Sequence, residues 1–409
     1  PAICATAAQE REETGGAFWL DNLFGWSAFM TADWARKQES KGAQLSEQAK
    51  TILALAASHP RALMDHRPLR ESPLFGLPQF DIDFDALASA TVMPDYDTSL
   101  IEIPILSTGG WYDLYSRGAH GLFNDRQPGT ERQMIMGPWA HSYSLPGYIG
   151  QANFSRRAGG PAAGVATDHL NFFRKHLLGD DIDTAPVRYF LMGENVWHVS
   201  DCWPPADRLS QRLFLREGHN LSPEAPDSDE APDGYWFDPA DPTPTLGGRT
   251  MPTCTTLSGP IDQRPLFGRS DILRFDGPPA DRATDIVGRI VAGLFVSASV
   301  PMFDIVAKLL DVSPDGLALN ITDGISRTKN RQIGKVQHVE VSLADTAWRL
   351  RPGHRLCLLV QSGNYPHFDP NPGMLGAPGT VRDGQRAKID IFHGRNLSSF
   401  VEFDVLPTR

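Results

Sequence analysis

The spacing of apolar residues changes twice along the chain and divides it into three parts. Phe18, Leu20, Leu23, Phe24, Trp26, Phe29, Met30 and Trp34 recur at helical spacing and predict a helix with a broad apolar face across Phe18 to Lys37. Leu45 to Ala57 repeats the pattern. Pro60, Pro68, Pro73 and Pro78 then break it, so residues 1–90 are predicted to be mainly helical. In residues 91–208 short apolar runs alternate with helical patterns. Ile101–Leu106, Gln133–Met136 and Val187–Met192 read as buried strands, with helices near Ser116–Asn124 and Ala163–Leu178, and that alternation predicts an α/β sheet.

From about residue 209 short strand-like runs recur between Pro/Gly turns. They are Arg212–Arg216, Asp271–Phe275, Asp285–Ser297, Ile305–Val312, Val336–Ser342, Arg355–Gln361 and Ala387–His393. This spacing predicts a β-sandwich or jelly roll. The most apolar stretch, Ile290 to Phe303, holds Ser and Pro and reads as buried strand, not as a membrane span. The acidic, Pro-rich stretch Pro223 to Gly234 reads as an exposed loop.

Composition narrows the function classes. The 409 residues suffice for two or three domains, with 41% apolar and 21% charged residues. The net charge of −11 argues against a nucleic-acid partner. Cys4, Cys202, Cys254 and Cys357 lie far apart and form no metal or redox motif, which suits free thiols in a cytoplasmic protein. One or two disulfides stay open. His59, Asp65 and His66 lack a third ligand in any metal spacing, so no metal is expected. Asp369-Pro-Asn-Pro-Gly373 lacks the spacing and terminal Glu of a calcium loop and reads as a turn. Asn320-Ile-Thr322 and Asn396-Leu-Ser398 fit the glycosylation pattern, which has meaning only in a secreted protein.

Two strand-end turns can carry chemistry. Gly109-Gly110-Trp111-Tyr112-Asp113 follows one predicted strand, and Gly137-Pro138-Trp139-Ala140-His141 follows the next. Open α/β sheets bind ligands beyond the carboxyl ends of their strands. An acid on one such loop and a histidine on the next, in that chain order, is what a hydrolase triad requires.

The wording of these turns, with Ile103-Pro-Ile-Leu106 before them, closely resembles the cocaine-esterase and X-prolyl dipeptidyl-peptidase family of serine hydrolases. The resemblance continues through Tyr235–Gly248, Gly259–Pro265, Ala307–Gly316, Pro352–Arg355 and Asn364–Pro366. It implies an α/β hydrolase (here the C-terminal half of its sheet) with a helical cap and a C-terminal β-sandwich jelly roll. The cap would be residues 1–90, the hydrolase part 91–208 and the jelly roll 209–409. Asp113 matches the family acid and His141 the family base. Trp26 matches a cap position that lines the acyl pocket in relatives. Trp111, Tyr112 and Trp139 are expected beside the substrate. The resemblance implies no metal or organic cofactor.

One departure stands out. The family nucleophile sits in a Gly-x-Ser-Tyr-x-Gly elbow upstream of the cap, and no G-x-S-x-G occurs in this chain. Ser27 has Gly25 before it but Phe29 after it. Only about three sheet strands are predicted, which leaves an unpaired edge. The expectation is therefore an ester or amide hydrolase acting on a small molecule. Its serine would lie on a missing or separate N-terminal hydrolase fragment, and these residues alone would be inactive. No membrane partner is expected, and a homo-oligomer stays open. The alternative is a non-catalytic binding or assembly protein that uses its jelly roll.

Overall fold

The structure, a computed structural model, describes residues 15–76, 84, 100–125, 129–141, 147–251, 257–376, 379–380 and 383–407. Cys4 and Cys254 lie outside them, as do the expected cap–sheet boundary near residue 90 and the breaker Pro78. Cys202 and Cys357 are free thiols. No helix among the described residues is long and apolar enough to cross a membrane.

The cap begins with α1 (Leu20–Glu39), α2 (Glu47–Ser58) and α3 (Pro60–Met64). Local chemistry sets the boundaries. Ser46 caps α2 by accepting from the Ala49 N–H, and Pro60 starts α3 at a position where the missing N–H costs nothing. Phe18, Leu20, Phe24, Ala49, Ile52 and Leu63 form the cap's own core.

Beyond the cap, β1 (Ile105–Gly110), α4 (Ser116–Asn124) and β2 (Arg132–Gly137) form a strand–helix–strand unit with the strands parallel. The short hairpin of β3 (Tyr148–Ile149) and β4 (Ala152–Asn153) precedes α5 (Val165–Phe173), which runs on in a wider turn over Arg174–Leu178. β5 (Val187–Leu191) pairs parallel to β2, and β6 (Val196–Ser200) turns back along β5. The sheet order is β1-β2-β5-β6. Among the described residues β1 pairs only with β2, although all six of its residues are buried.

The structure moves the first strand. The sequence suggests Ile101–Leu106, with Ser107-Thr-Gly-Gly as the turn. The strand is instead Ile105–Gly110, so those four residues are inside it. Pro104 has no N–H to give a ladder, and pairing begins where the Ile105 N–H meets the Glu131 carbonyl. The glycines are needed in the strand because a Cβ on Gly109 would lie 2.6 Å from the Ala119 Cβ.

The remainder is a β-sandwich. Its strands are β7 (Leu209–Arg216), β8 (Asn220–Ser222), β9 (Asp233–Phe237), β10 (Ile272–Pro279), β11 (Thr284–Ala298), β12 (Met302–Val312), β13 (Ala318–Lys329), β14 (Gln337–Leu350), β15 (Arg355–Gln361), β16 (Ala387–Gly394), β17 (Leu397–Ser398) and β18 (Phe400–Val405). β11 pairs with β14, β16 and β18, while β12 joins β13 to β15. The runs expected from the sequence leave out the short strands β8, β9 and β17 and the longer β13 and β18. β13 interrupts its apolar positions with Asn320, Asp323 and Gly324. β18 alternates Val401, Phe403 and Val405 with Glu402 and Asp404, a legible strand signal.

Cap and sandwich are joined through a buried charge cluster. Arg327 pairs with Asp304 and Asp369, Asp369 accepts from the Phe18 N–H, and Asn371 donates to Asp304. The Asp369–Gly373 segment is thus an anchor more than a surface turn. Asn320 is buried, with its side chain accepting from the Ile261 N–H, so its glycosylation pattern has no accessible acceptor.

Lys308 in β12 is buried opposite Asp323, and among the described residues its ammonium finds no hydrogen-bond partner. Burial pushes its pKa down to about 8, with Asp323 opposing. Between about pH 8 and 10.5 the unfolded chain binds more protons than the folded one, so this group's penalty is present below pH 8 and fades as pH rises through that window. The shift corresponds to roughly 3 kcal/mol. Lys308→Met should raise stability in chemical denaturation at pH 7 by up to about that amount, with the gain shrinking towards pH 10.5. A loss of stability at pH 7 would show that the ammonium is satisfied.

Candidate active site

Asp113 and His141 meet at the carboxyl ends of β1 and β2. The parallel register sets Gly110 opposite Gly137, so the two chains leave the sheet side by side. They stay together because the Trp111 N–H donates to the Gly137 carbonyl and the Tyr112 N–H to that of Trp139. A Cβ on Gly110 would lie 2.2 Å from the Trp139 carbonyl oxygen, so only glycine permits this approach. The His141 Nδ1 then lies 3.2 Å from Asp113 Oδ1.

The two side chains differ in exposure. The Asp113 side chain is 2% exposed and that of His141 26%. A shielded carboxylate beside a part-open imidazole suits an acid that orients the ring while the ring reaches a reacting group. Asp113 Oδ1 also accepts the Tyr115 N–H at 2.8 Å. Among the described residues Oδ2 is buried with no hydrogen-bond partner. The Tyr115 ring packs edge-on against the His141 ring at 5.4 Å. Trp19 packs edge-on against Tyr115 and against His367, whose Nδ1 lies 3.1 Å from Asp21 Oδ1. Burial raises the Asp21 pKa, and His367 opposes the shift.

The other expected site residues fall elsewhere. The side chains of Trp111, Tyr112 and Trp139 are 2%, 0% and 1% exposed and are satisfied inside the protein. Trp111 donates to the Phe190 carbonyl, Tyr112 to that of Asn320 and Trp139 to that of Ala158. They are buried packing residues that hold the loops. The reason is geometric: side chains flanking a strand-end turn point back into the layers on either side of the sheet. Trp26 is 50% exposed on α1 and stacks on Phe29 at 5.6 Å, away from any contact with the pair. Ser27 is buried in α1 and donates to the Leu23 carbonyl, as a helix-interior serine does. The sequence reading missed Tyr115. Its position two residues after the acid was the available signal.

A cavity of about 740 Å³ lies between cap and sandwich, lined in part by Asp65, Arg67, Arg327, Tyr365 and Asp369. Its lining includes neither Asp113 nor His141. Its buried carboxylate Asp369 is already matched by Arg327, and the exposed Asp65 accepts from the Tyr365 hydroxyl, so the acid–imidazole pair is the better candidate for chemistry. His66 Nδ1 lies against the Pro68 carbonyl. No group of three or more His, Cys, Asp or Glu side chains among the described residues is placed to hold a metal ion.

Three parallel strands, β1, β2 and β5, with an acid and a histidine on the ends of the first two, define part of an α/β-hydrolase. The family model for X-Pro dipeptidyl-peptidase (S15 family) matches residues 2–143, and that for the X-Pro dipeptidyl-peptidase C-terminal non-catalytic domain matches residues 181–400. Cocaine esterase of Rhodococcus sp. (strain MB1 Bresler) is 32% identical over 397 residues, covering 88% of this chain and 67% of that protein. Among solved structures, an aminopeptidase from a Thaumarchaeota archaeon superposes with a TM-score of 0.68 at 25% identity, covering 74% of this chain and 55% of that one. An α-amino acid ester hydrolase gives 0.66 at 24% identity, with 87% and 62% covered. The chain therefore belongs to the cocaine-esterase and X-Pro dipeptidyl-peptidase family of serine hydrolases. It spans about two thirds of cocaine esterase and less of the two solved relatives.

The close approach at Gly110 is testable. Gly110→Ala should cost about 3 kcal/mol in urea unfolding because the new methyl meets backbone on the neighbouring loop. Gly268→Ala, with no neighbouring atom within 4 Å, should change stability by less than about 0.5 kcal/mol. Equal effects would show that the Gly110 site relaxes.

Proposed function

We propose that this chain is the larger part of a serine hydrolase that cleaves an ester or amide of a small molecule through an acyl-enzyme. The observation that carries the reading is the hydrogen bond between Asp113 and His141 at the ends of adjacent parallel strands. With its proton on Nδ1 held by Asp113, the ring presents Nε2 to a serine hydroxyl. It removes that proton as the carbonyl is attacked and returns it to the leaving group. Asp113 stays ionised and balances the imidazolium. The serine would come from an N-terminal segment, separate or continuous with this chain, so these residues alone would not turn over.

Three observations support a complementing segment. No G-x-S-x-G occurs, β1 lacks a second neighbour among the described residues, and several large apolar side chains stand exposed on two helices. These are Trp26, Phe29, Met30 and Trp34 on α1, and Leu170, Phe173, Leu177 and Leu178 along α5 and the turn that continues it. Such rows of exposed apolar side chains along a helix suit burial against a further segment. The free thiols of Cys202 and Cys357 suit a reducing, cytoplasmic setting.

In the protein that includes the N-terminal segment, Asp113→Asn should lower kcat by roughly 10⁴-fold and His141→Ala by at least as much. A fluorophosphonate probe should label the N-terminal segment and leave residues 1–409 unlabelled. Near-normal rates for either variant, or labelling of a serine within these residues, would overturn the reading.

A further inference from the structure

The sandwich matches a family model described as non-catalytic, yet it touches the acid loop twice. Trp111, Tyr112 and Asp113 are consecutive, and their side chains go three ways. Trp111 reaches into the sheet at Phe190 in β5, Asp113 faces His141, and Tyr112 enters the sandwich, where its hydroxyl donates to the Asn320 carbonyl in β13 at 3.1 Å. Four residues beyond the acid, in the first turns of α4, Arg117 donates to the Ser342 carbonyl in β14 at 2.8 Å and to its hydroxyl at 3.1 Å. The two receiving strands are themselves locked together, since Gly324 of β13 lies so close to β14 that a Cβ would come 2.3 Å from the same Ser342 carbonyl.

The carboxylate needs such support. Its contacts converge on one oxygen: Oδ1 takes both His141 and the Tyr115 N–H, while Oδ2 has no partner among the described residues. A carboxylate fixed through a single oxygen can rotate about its bond to the chain, and its position is set mainly by the backbone that carries it. That backbone is held before the acid by Tyr112 and after it by Arg117, and both holds end on the sandwich. We propose that Tyr112 and Arg117 are positioning residues for Asp113, and that the β13–β14 seam of the sandwich is the platform that keeps the acid aligned with His141. The inference rests on the reading of Asp113 and His141 as acid and base.

Residues 1–409 contain every group involved, so the test needs no nucleophile. In this chain labelled with ¹⁵N-histidine, long-range ¹H–¹⁵N spectra at a pH where the ring is neutral report the tautomer of His141. The wild type should hold the proton on Nδ1. Tyr112→Phe keeps the ring and removes only the hydroxyl, and should lower the Nδ1–H to Nε2–H ratio several-fold. Ser342→Ala removes one of the two acceptors of Arg117 and should shift the ratio in the same direction by less, and it serves where Tyr112→Phe does not fold. Tyr235→Phe removes another buried sandwich hydroxyl, bonded to Ser362, and should leave the ratio unchanged. A folded Tyr112→Phe with the wild-type ratio overturns the proposal, as does an equal shift in Tyr235→Phe. Where Tyr112→Phe does not fold, an unchanged ratio in Ser342→Ala overturns it. A wild-type ring with its proton on Nε2 would count instead against the acid–base reading itself.

Discussion

Four strands cannot cover their own two faces, and here the sandwich supplies what the sheet lacks. Trp111, Met136, Phe190 and Trp203 share one continuous apolar cluster with Ile286, Val341 and Leu358 of the sandwich strands. The backbone joins it too, since Met192 donates to the Ala347 carbonyl and Arg349 donates back to Met192. Burial of this seam removes water from both sheets at once, and burial of apolar area is the main drive for either to fold. The positions of Asp113 and His141 follow from it. Their strands have a fixed register because both faces are committed.

That dependence explains what could be read in the sequence. Periodicity placed α1, α2 and α4, and apolar runs placed most sandwich strands, some of them, such as β12, buried on both faces. Chain order and turn composition placed the acid and the base. What escaped was set by contacts distant in sequence. Trp111, Tyr112 and Trp139 look like pocket aromatics beside a catalytic motif, and only distant packing makes them core: the cluster shared with the sandwich for Trp111 and Tyr112, and Ile135, Val165 and Phe172 for Trp139. Ser107-Thr-Gly-Gly looks like a turn until α4 and the next loop are seen pressing on its glycines. β13 hides its strand character behind Asn320 and Asp323, whose partners lie on other elements. The Asp369–Gly373 segment reads as a turn because its partner Arg327 is 42 residues away.

Charge is handled differently at the two junctions. Between cap and sandwich, Arg327 is matched by Asp304 and Asp369, and the two carboxylates hold its charge firmly against the penalty of burial. Between β12 and β13, Lys308 faces Asp323 across the ladder, but Arg249 also approaches that carboxylate. Asp323 is shared between two cations, and among the described residues the lysine makes no hydrogen bond to it. Buried charge thus specifies the cap's seat on the sandwich and strains the ladder beneath the acid loop.

The connection from β6 to β7 looks on paper like a tether between two bodies. Trp203 sits in it, 5.0 Å from the Trp111 ring and 5.4 Å from that of Tyr189, with its N–H given to Asp345. The tether is therefore a wedge. A protease cutting there would release no independent sandwich, because the two halves would remain clasped around the indole. In evolutionary terms such a molecule is inherited whole: a recombination point at residue 205 would part Trp203 from Asp345, the acceptor of its N–H. Exchange of modules between relatives should be rare at this seam, however tidy the domain boundary looks in a linear diagram.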